Sequence, residues 1–324
     1  MTRQRVSLLR SGAGRQRLEN KSRRIAWHVV RYLLVFGISF IIIYPMLVKL
    51  SVSLMTEADL MDPTVKWVPR HVTWDNYAKV IEALHIQSSL LNSLLYTVGI
   101  TALQLLSCTM VAYGLARYAY PGSRLVFLLM IFTLVIPPQT YMSGLYVQFR
   151  FWDPFGLVTA LTGSTGVTNT FVPFILQAVL CQGLRNGLYV FLMRQYFRNL
   201  PGELEEAANV DGAGVMKVFF RIILPNSVPI LVTVSVLSVV WQWNDSYNNA
   251  MLASQMDFLA TNVGNIGTLL REGHQSADHL AGNSALLSAC KNAAAMLMSL
   301  PIVIFFALVQ KSFSENLART GIVG

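Results

Sequence analysis

Asn199-Leu200-Pro201-Gly202-Glu203-Leu204-Glu205-Glu206-Ala207-Ala208-Asn209-Val210-Asp211-Gly212-Ala213-Gly214, continued by Ile222-Ile223-Leu224-Pro225, is a polar interruption between two long apolar runs. Its chemistry predicts two short helices about a glycine hinge. Pro201 suits a helix start, and Glu203, Glu205 and Glu206 suit the positive end of a helix dipole. Gly212 and Gly214 offer the left-handed backbone that ends such a helix. Residues 215–223 then read as a second, apolar segment that Pro225 stops. Ala207 and Ala208 leave a surface poor in side chains, which another protein can approach closely.

The runs on either side, 171–197 and 227–251, each exceed the roughly 20 apolar residues that cross a bilayer. Further out lie 125–149, interrupted by Pro137-Pro138, and 88–116, ending at the turn Tyr120-Pro121-Gly122. The outermost are 25–54, with Pro45 as a kink, and 285–309. Six spans are therefore expected, in an all-α integral membrane protein. Composition agrees: of 324 residues 54% are hydrophobic and 13% charged, with mean hydropathy +0.49. A soluble domain carries roughly a quarter charged residues, so a water-facing globule is excluded, as are a disordered chain and a disulfide-rich scaffold.

The formal net charge of +9 is unevenly spread. Eight basic residues (Arg3, Arg5, Arg10, Arg15, Arg17, Lys21, Arg23, Arg24) precede the first apolar run, opposed only by Glu19. With both termini inside, the inner segments 1–24, 117–124, 194–225 and 310–324 carry sixteen basic residues and the outer segments five. That is the positive-inside pattern of a membrane anchor, not a nucleic-acid surface. Residues 1–24 thus read as a basic cytoplasmic tail and 25–324 as the membrane domain, with its inner loop at 198–225. The apolar stretch 29–50 is longer than a signal-peptide core and reads as an anchor that stays. Cys108, Cys181 and Cys290 sit in apolar stretches without Cys or His at ligand spacing, and read as packing residues. Trp67 and Trp74, in the outer loop 55–87, fit an interfacial belt. His274 and His279 fall in a polar outer loop, and no metal site is expected.

The inner loop resembles a known motif. Glu206-Ala207-Ala208, then Gly212, Ile222 and Leu224-Pro225, seven positions at fixed spacing, are similar to the EAA loop of binding-protein-dependent ABC importer permeases. Phe191-Leu192-Met193-Arg194-Gln195-Tyr196-Phe197, Trp241-Gln242-Trp243-Asn244-Asp245 and the tail Asn316-Leu317-Ala318-Arg319-Thr320-Gly321-Ile322-Val323-Gly324 are similar to the carbohydrate permeases of the maltose-system class, second-permease type. Ser246-Tyr247-Asn248-Asn249 departs from it, where relatives more often carry apolar residues and a proline. The resemblance implies a type I ABC importer permease fold in a bacterial-type plasma (inner) membrane. It implies that the loop is a coupling helix docking on a cytoplasmic ATPase, with Glu206 for polar contact, Ala207 and Ala208 for close approach and Gly212 for the turn. The implied partners are two ATP-binding subunits, a second, non-identical permease subunit and an extracytoplasmic solute-binding protein. No G-x-x-x-x-G-K-[S/T] phosphate loop occurs, so no cofactor is expected in this chain, and ATP and Mg would belong to the partner ATPase.

Ionisable and polar groups inside the spans need reasons. Arg31 and Lys49 can snorkel from the ends of the first span. Arg185, twelve residues before Phe197 and so about 18 Å along a helix, falls near mid-bilayer. It either lines the path or packs against a partner permease, with Gly183, Asn186 and Gly187 allowing close approach of another helix; Lys291 has the same two readings. Trp241, Asn244, Asp245 and Asn248 form a polar and aromatic cluster suited to a sugar, or else a helix end emerging into water. With Arg185 and Asn186 they are the candidate solute path. An amino-acid or peptide permease and an autonomous secondary transporter are the competing functions. A transporter of that kind wants an internal repeat or an acidic proton relay, and a membrane enzyme wants clustered His, Asp or Glu; none is visible in the sequence.

Overall fold

The computed structural model describes residues 2–163, 165–273 and 284–321, with side chains over 23–163, 165–272 and 284–311. His274 and His279 lie outside the described residues, and the motif 316–324 lies outside the described side chains. Among the described residues the regular structure is helical, apart from one isolated bridge between Met55 and Val72. The chain divides into two units, 1–73 and 74–324.

In the first unit, α1 (Thr2–Ser53) runs unbroken from the basic stretch through the apolar run, with Pro45 inside it. The boundary expected at residue 24 is therefore a change of composition and not of secondary structure. Thr56 caps the short α2 (Glu57–Met61), its hydroxyl accepting from Asp59 N–H at 3.3 Å. The chain then returns to α1. Ser51 Oγ donates to Trp67 O (2.6 Å), the Trp67 ring lies tilted against Tyr44 with centroids 5.1 Å apart, and Thr73 N–H donates to Leu54 O (2.9 Å). The buried Asp59 carboxylate closes this return, accepting from His71 N–H at 2.8 Å and lying 3.2 Å from His71 Nδ1.

The second unit contains α3 (Asp75–Ala83), α4 (Ile86–Arg117), α5 (Ser123–Phe132), α6 (Pro138–Arg150), α7 (Leu157–Thr162), α8 (Val172–Val179) and α9 (Asn186–Asn199). They are followed by α10 (Glu203–Val210), α11 (Val215–Asn226), α12 (Val228–Trp243), α13 (Ser246–Leu252), α14 (Leu259–Gly264), α15 (Ile266–Gly273) and α16 (Ser284–Gly321). Three described segments are long and apolar enough to span: Arg23–Ser53, Ile86–Arg117 and Ser284–Lys311. The pair α11 and α12 makes a fourth if counted as one span, bent by 76°.

The runs 125–149, 171–197 and 227–251 are each divided into two helices. Pro137-Pro138 ends α5 and starts α6, because proline lacks an N–H and forces the preceding residue out of helical geometry. The break between α8 and α9 has no proline. Cys181 and Arg185 both adopt left-handed backbone there, at φ 57° and 62°. Arg185 therefore stands just ahead of α9 and not within a continuous helix. At Asn244-Asp245 the chain turns again, and Asp245 caps α13.

A broken helix in lipid frees backbone groups that water cannot satisfy, so neighbouring side chains must. They do. Ser107 Oγ donates to Ala178 O (2.6 Å) and Gln104 Nε2 to Leu184 O (3.0 Å), covering both sides of the α8–α9 break from α4. Asn226 Nδ2 donates to Ile222 O (2.7 Å) and Ser227 Oγ to Ile223 O (2.6 Å) at the α11–α12 bend. Close packing does the rest. A Cβ at Gly187 would stand 2.8 Å from Met130 O, so glycine is what lets α9 meet the backbone of α5.

Candidate functional site

Two regions carry the residues singled out in the sequence. The first is the loop around α10. This helix starts at Glu203, with Gly202 as its N-cap and Glu203, Glu205 and Glu206 in its first turn. It ends as the glycine pattern requires: Gly212 takes φ 74°, and Ala213 N–H reaches back to Ala208 O at 3.0 Å. Only Gly212 uses left-handed backbone. Gly214 is extended, at φ −70°, and caps α11. Pro225 does not stop the second helix, which continues to Asn226. The turn 219–223 widens to π geometry directly before Pro225, which relieves the clash a proline ring makes with the carbonyl four residues earlier.

Glu206 and Ala207 face outward, whereas Ala208 lies in the chain's own core beside Val218, Phe219 and Ile223. Ile222 and Leu224 pack against the same core, and Pro225 is exposed. Glu205, one residue before the motif, points inward: its Oε1 lies 2.7 Å from Arg117 Nε, and its Oε2 accepts from Tyr113 O–H at 3.2 Å. Tyr196 O–H donates to Asn226 O (2.7 Å), pinning the far end of α11 to α9. The loop is thus a fixed ledge on which Glu206 and Ala207 are exposed side by side.

The second region is a cleft lined by Tyr96, Ile100, Phe174, Gln177, Gln242, Asp245 and Asn248, with the Gly183-Leu184 backbone beside them. It is a shallow, partly open cleft with a cavity volume of about 20 Å³. Asp245 is 7% exposed and its carboxylate is already occupied. It accepts from Asn248 N–H (3.0 Å), Asn248 Nδ2 (2.8 Å) and Tyr96 O–H (3.1 Å). Arg185 lies over the Trp241 ring, 4.3 Å from its centroid, so these two expected path residues are paired with each other. Asn186 is buried, its amide 2.6 Å from that of Gln104. Asn244 turns away and donates to Val240 O (2.8 Å). Of the six expected residues, Asp245 and Asn248 line the cleft; Arg185 and Trp241 pair with each other, Asn186 is buried against Gln104, and Asn244 stands apart.

Gln104 is the residue the sequence reading passed over. It is buried, and besides Leu184 O it accepts at Oε1 from Ser238 Oγ (2.7 Å) and Gln242 Nε2 (3.0 Å). Its signal was an uncharged polar side chain inside an apolar run, three residues from Ser107 and so on the same helical face.

A family model described as "Binding-protein-dependent transport system inner membrane component" matches residues 109–319. The chain is 31% identical over 283 residues, 86% of its length, to the melibiose/raffinose/stachyose import permease protein of Bacillus subtilis (strain 168), covering 91% of that protein. It is 29% identical over 302 residues to the arabinooligosaccharides transport system permease protein of Halalkalibacterium halodurans, covering 91% of this chain and 98% of that one. Its fold matches, at TM-score 0.67 and 22% identity over 90% of the chain and 98% of the other, one chain of a crystal structure of a bacterial ABC transporter involved in the import of the acidic polysaccharide alginate.

Proposed function

This chain belongs to the family of binding-protein-dependent transport system inner membrane components, and from that premise we propose that it forms half of the path by which a carbohydrate is imported. As a family member it is a multi-pass inner-membrane permease component and not an enzyme; it works with a separate ATPase and a solute-binding protein. The reading of a carbohydrate draws on the relatives, which are named for import of melibiose, raffinose, stachyose and arabinooligosaccharides. A second permease subunit, non-identical, would supply the other half of the path. The size of the cleft supports this division, because its cavity volume of about 20 Å³ is far below the roughly 300–1,000 Å³ of a complete small-molecule pocket. Tyr96, Gln177, Gln242 and Asn248 would present hydrogen-bonding groups to one side of the solute, with Phe174 as the aromatic surface.

The observation that carries the mechanism is the exposed pair Glu206 and Ala207 on α10, just ahead of the 76° bend between α11 and α12. Two ATPases closing around ATP and Mg, held on those subunits, would push the two α10 helices as levers. α9 and α12 would then swing and switch the cleft from inward-facing to outward-facing, where the loaded binding protein delivers its solute. Both termini lie in the cytoplasm in this reading, in keeping with the excess of basic residues in the inner segments. Glu206→Lys tests it. Because the side chain is exposed, the variant is expected to insert and express normally yet lose most uptake. Uptake at the wild-type rate and expression would remove the coupling role from this loop.

A further inference from the structure

Glu205 stands beside the motif residues but does a different job. Its carboxylate meets two side chains on one face of α4, four residues apart: Oε2 accepts from Tyr113 O–H, and Oε1 lies 2.7 Å from Arg117 Nε as an ion pair. Both members of the ion pair are 17% exposed, which sets it apart from the solvated surface pairs that contribute little. The same guanidinium continues to Leu200 O at 2.8 Å, so Arg117 ties together the end of α4, the end of α9 and the start of α10. A second arginine reinforces the joint: Arg194 Nε donates to Leu115 O (3.1 Å), and its guanidinium lies 4.0 Å over the Phe127 ring. On the other side of α10, the chain turns at Gly212, at φ 74°, and Ala208 packs beside Val218 and Phe219 of α11.

α4 suits the transmission of a displacement. It is a 32-residue helix without proline, whereas the three runs 125–149, 171–197 and 227–251 are broken. Tyr113 and Arg117, at the C-terminal end of α4, grip the first turn of α10. About 32 Å away along the helix, Tyr96 holds Asp245, and between the two Gln104 holds the α8–α9 break and α12. One rigid element thus touches the coupling helix at one end and the cleft at the other.

We propose that Glu205 is a positioning residue that carries the movement of α10 into α4 through Arg117 and Tyr113, while Glu206 faces the ATPase. The inference rests on the coupling role proposed above for the loop. Its consequence is a division of labour between adjacent glutamates: loss of Glu206 breaks contact with the motor, and loss of Glu205 breaks contact between the motor-facing helix and the membrane path.

The test uses the whole importer, with both permeases, ATPases and binding protein, reconstituted in liposomes, and reads solute taken up per ATP hydrolysed. Glu205→Gln and Arg117→Gln are each expected to lower that ratio by about fivefold or more, the lower end of typical coupling between sites. The complex should still co-purify intact. The exchange Glu205→Arg with Arg117→Glu is expected to recover at least about half of the wild-type ratio, because it restores an opposite-charge pair. A merely structural role would lower uptake and hydrolysis together and leave the ratio alone. Tyr113→Phe, which removes one hydrogen bond and no volume, should give an intermediate ratio even if the charge variants assemble poorly. Wild-type ratios in the single variants, or an exchange no better than either of them, would overturn the proposal. Glu206→Lys run in parallel separates the two readings: if it uncouples while Glu205→Gln does not, the brace alone fails; if neither uncouples, the coupling role of the loop fails with it.

Discussion

At the scale of single residues, chemistry type was legible and direction was not. Glu203, Glu205 and Glu206 look alike in a sequence, yet one faces α4 and another faces out, because a helix turns 100° per residue and the loop's seat on α4 decides which face is covered. Arg185 was legible as a cation near mid-bilayer that either lines the path or packs against a partner permease; that it pairs within its own chain was not legible. Its partner, Trp241, lies 56 residues away and could not be read from spacing. Asp59 makes a prediction at this scale. The backbone N–H of His71, more than any other contact, holds its carboxyl below the ordinary value of 3.8. A carboxyl whose folded pKa is depressed stabilises its contacts above the ordinary value and loses them as pH falls through the lowered one. Protection of segment 55–73 from protease should therefore be constant between pH 5 and 7 and fade only below about pH 4. Asp59→Asn should remove the pH-dependent step. Fading already between pH 5 and 6 would contradict this.

At the scale of elements, the number and order of apolar runs were legible, and their breaks only in part. Pro137-Pro138 announced one break, since proline forbids the helix chemically. The α8–α9 break contains no proline and depends on Ser107 and Gln104 of another helix to satisfy its freed carbonyls, a tertiary effect that a local reading cannot see. The cluster at Asp245 was read as solute contact or helix end. The structure gives it both a capping bond and a position on the cleft wall. Helix contact in lipid rests on close approach, so glycines differ sharply in what they tolerate. Gly187→Ala sets a methyl 2.8 Å from Met130 O and is expected to destabilise by about 1–3 kcal/mol, read as a lower unfolding midpoint in detergent. Gly144→Ala, which meets nothing within 4 Å in the middle of α6, should be neutral or mildly stabilising. Equal midpoints for the two variants would remove the close α5–α9 contact.

At the scale of the whole molecule, the all-α membrane fold and its family were legible because bilayer thickness and the fixed spacing of the inner loop are strong constraints. The solute was not, since a scaffold shared across permeases does not by itself specify a ligand. Half a cleft on one side and an outward-facing ledge on another describe a part built to work in an assembly. The most direct test places a photo-crosslinking amino acid at position 206 of the chain in native membranes, with position 205 as the inward-facing control. The account predicts that 206 captures an ATP-binding subunit and that 205 captures none. A product at 205 and not at 206, or none of ATPase mass from either, would contradict the assignment of α10 as the helix that meets the motor.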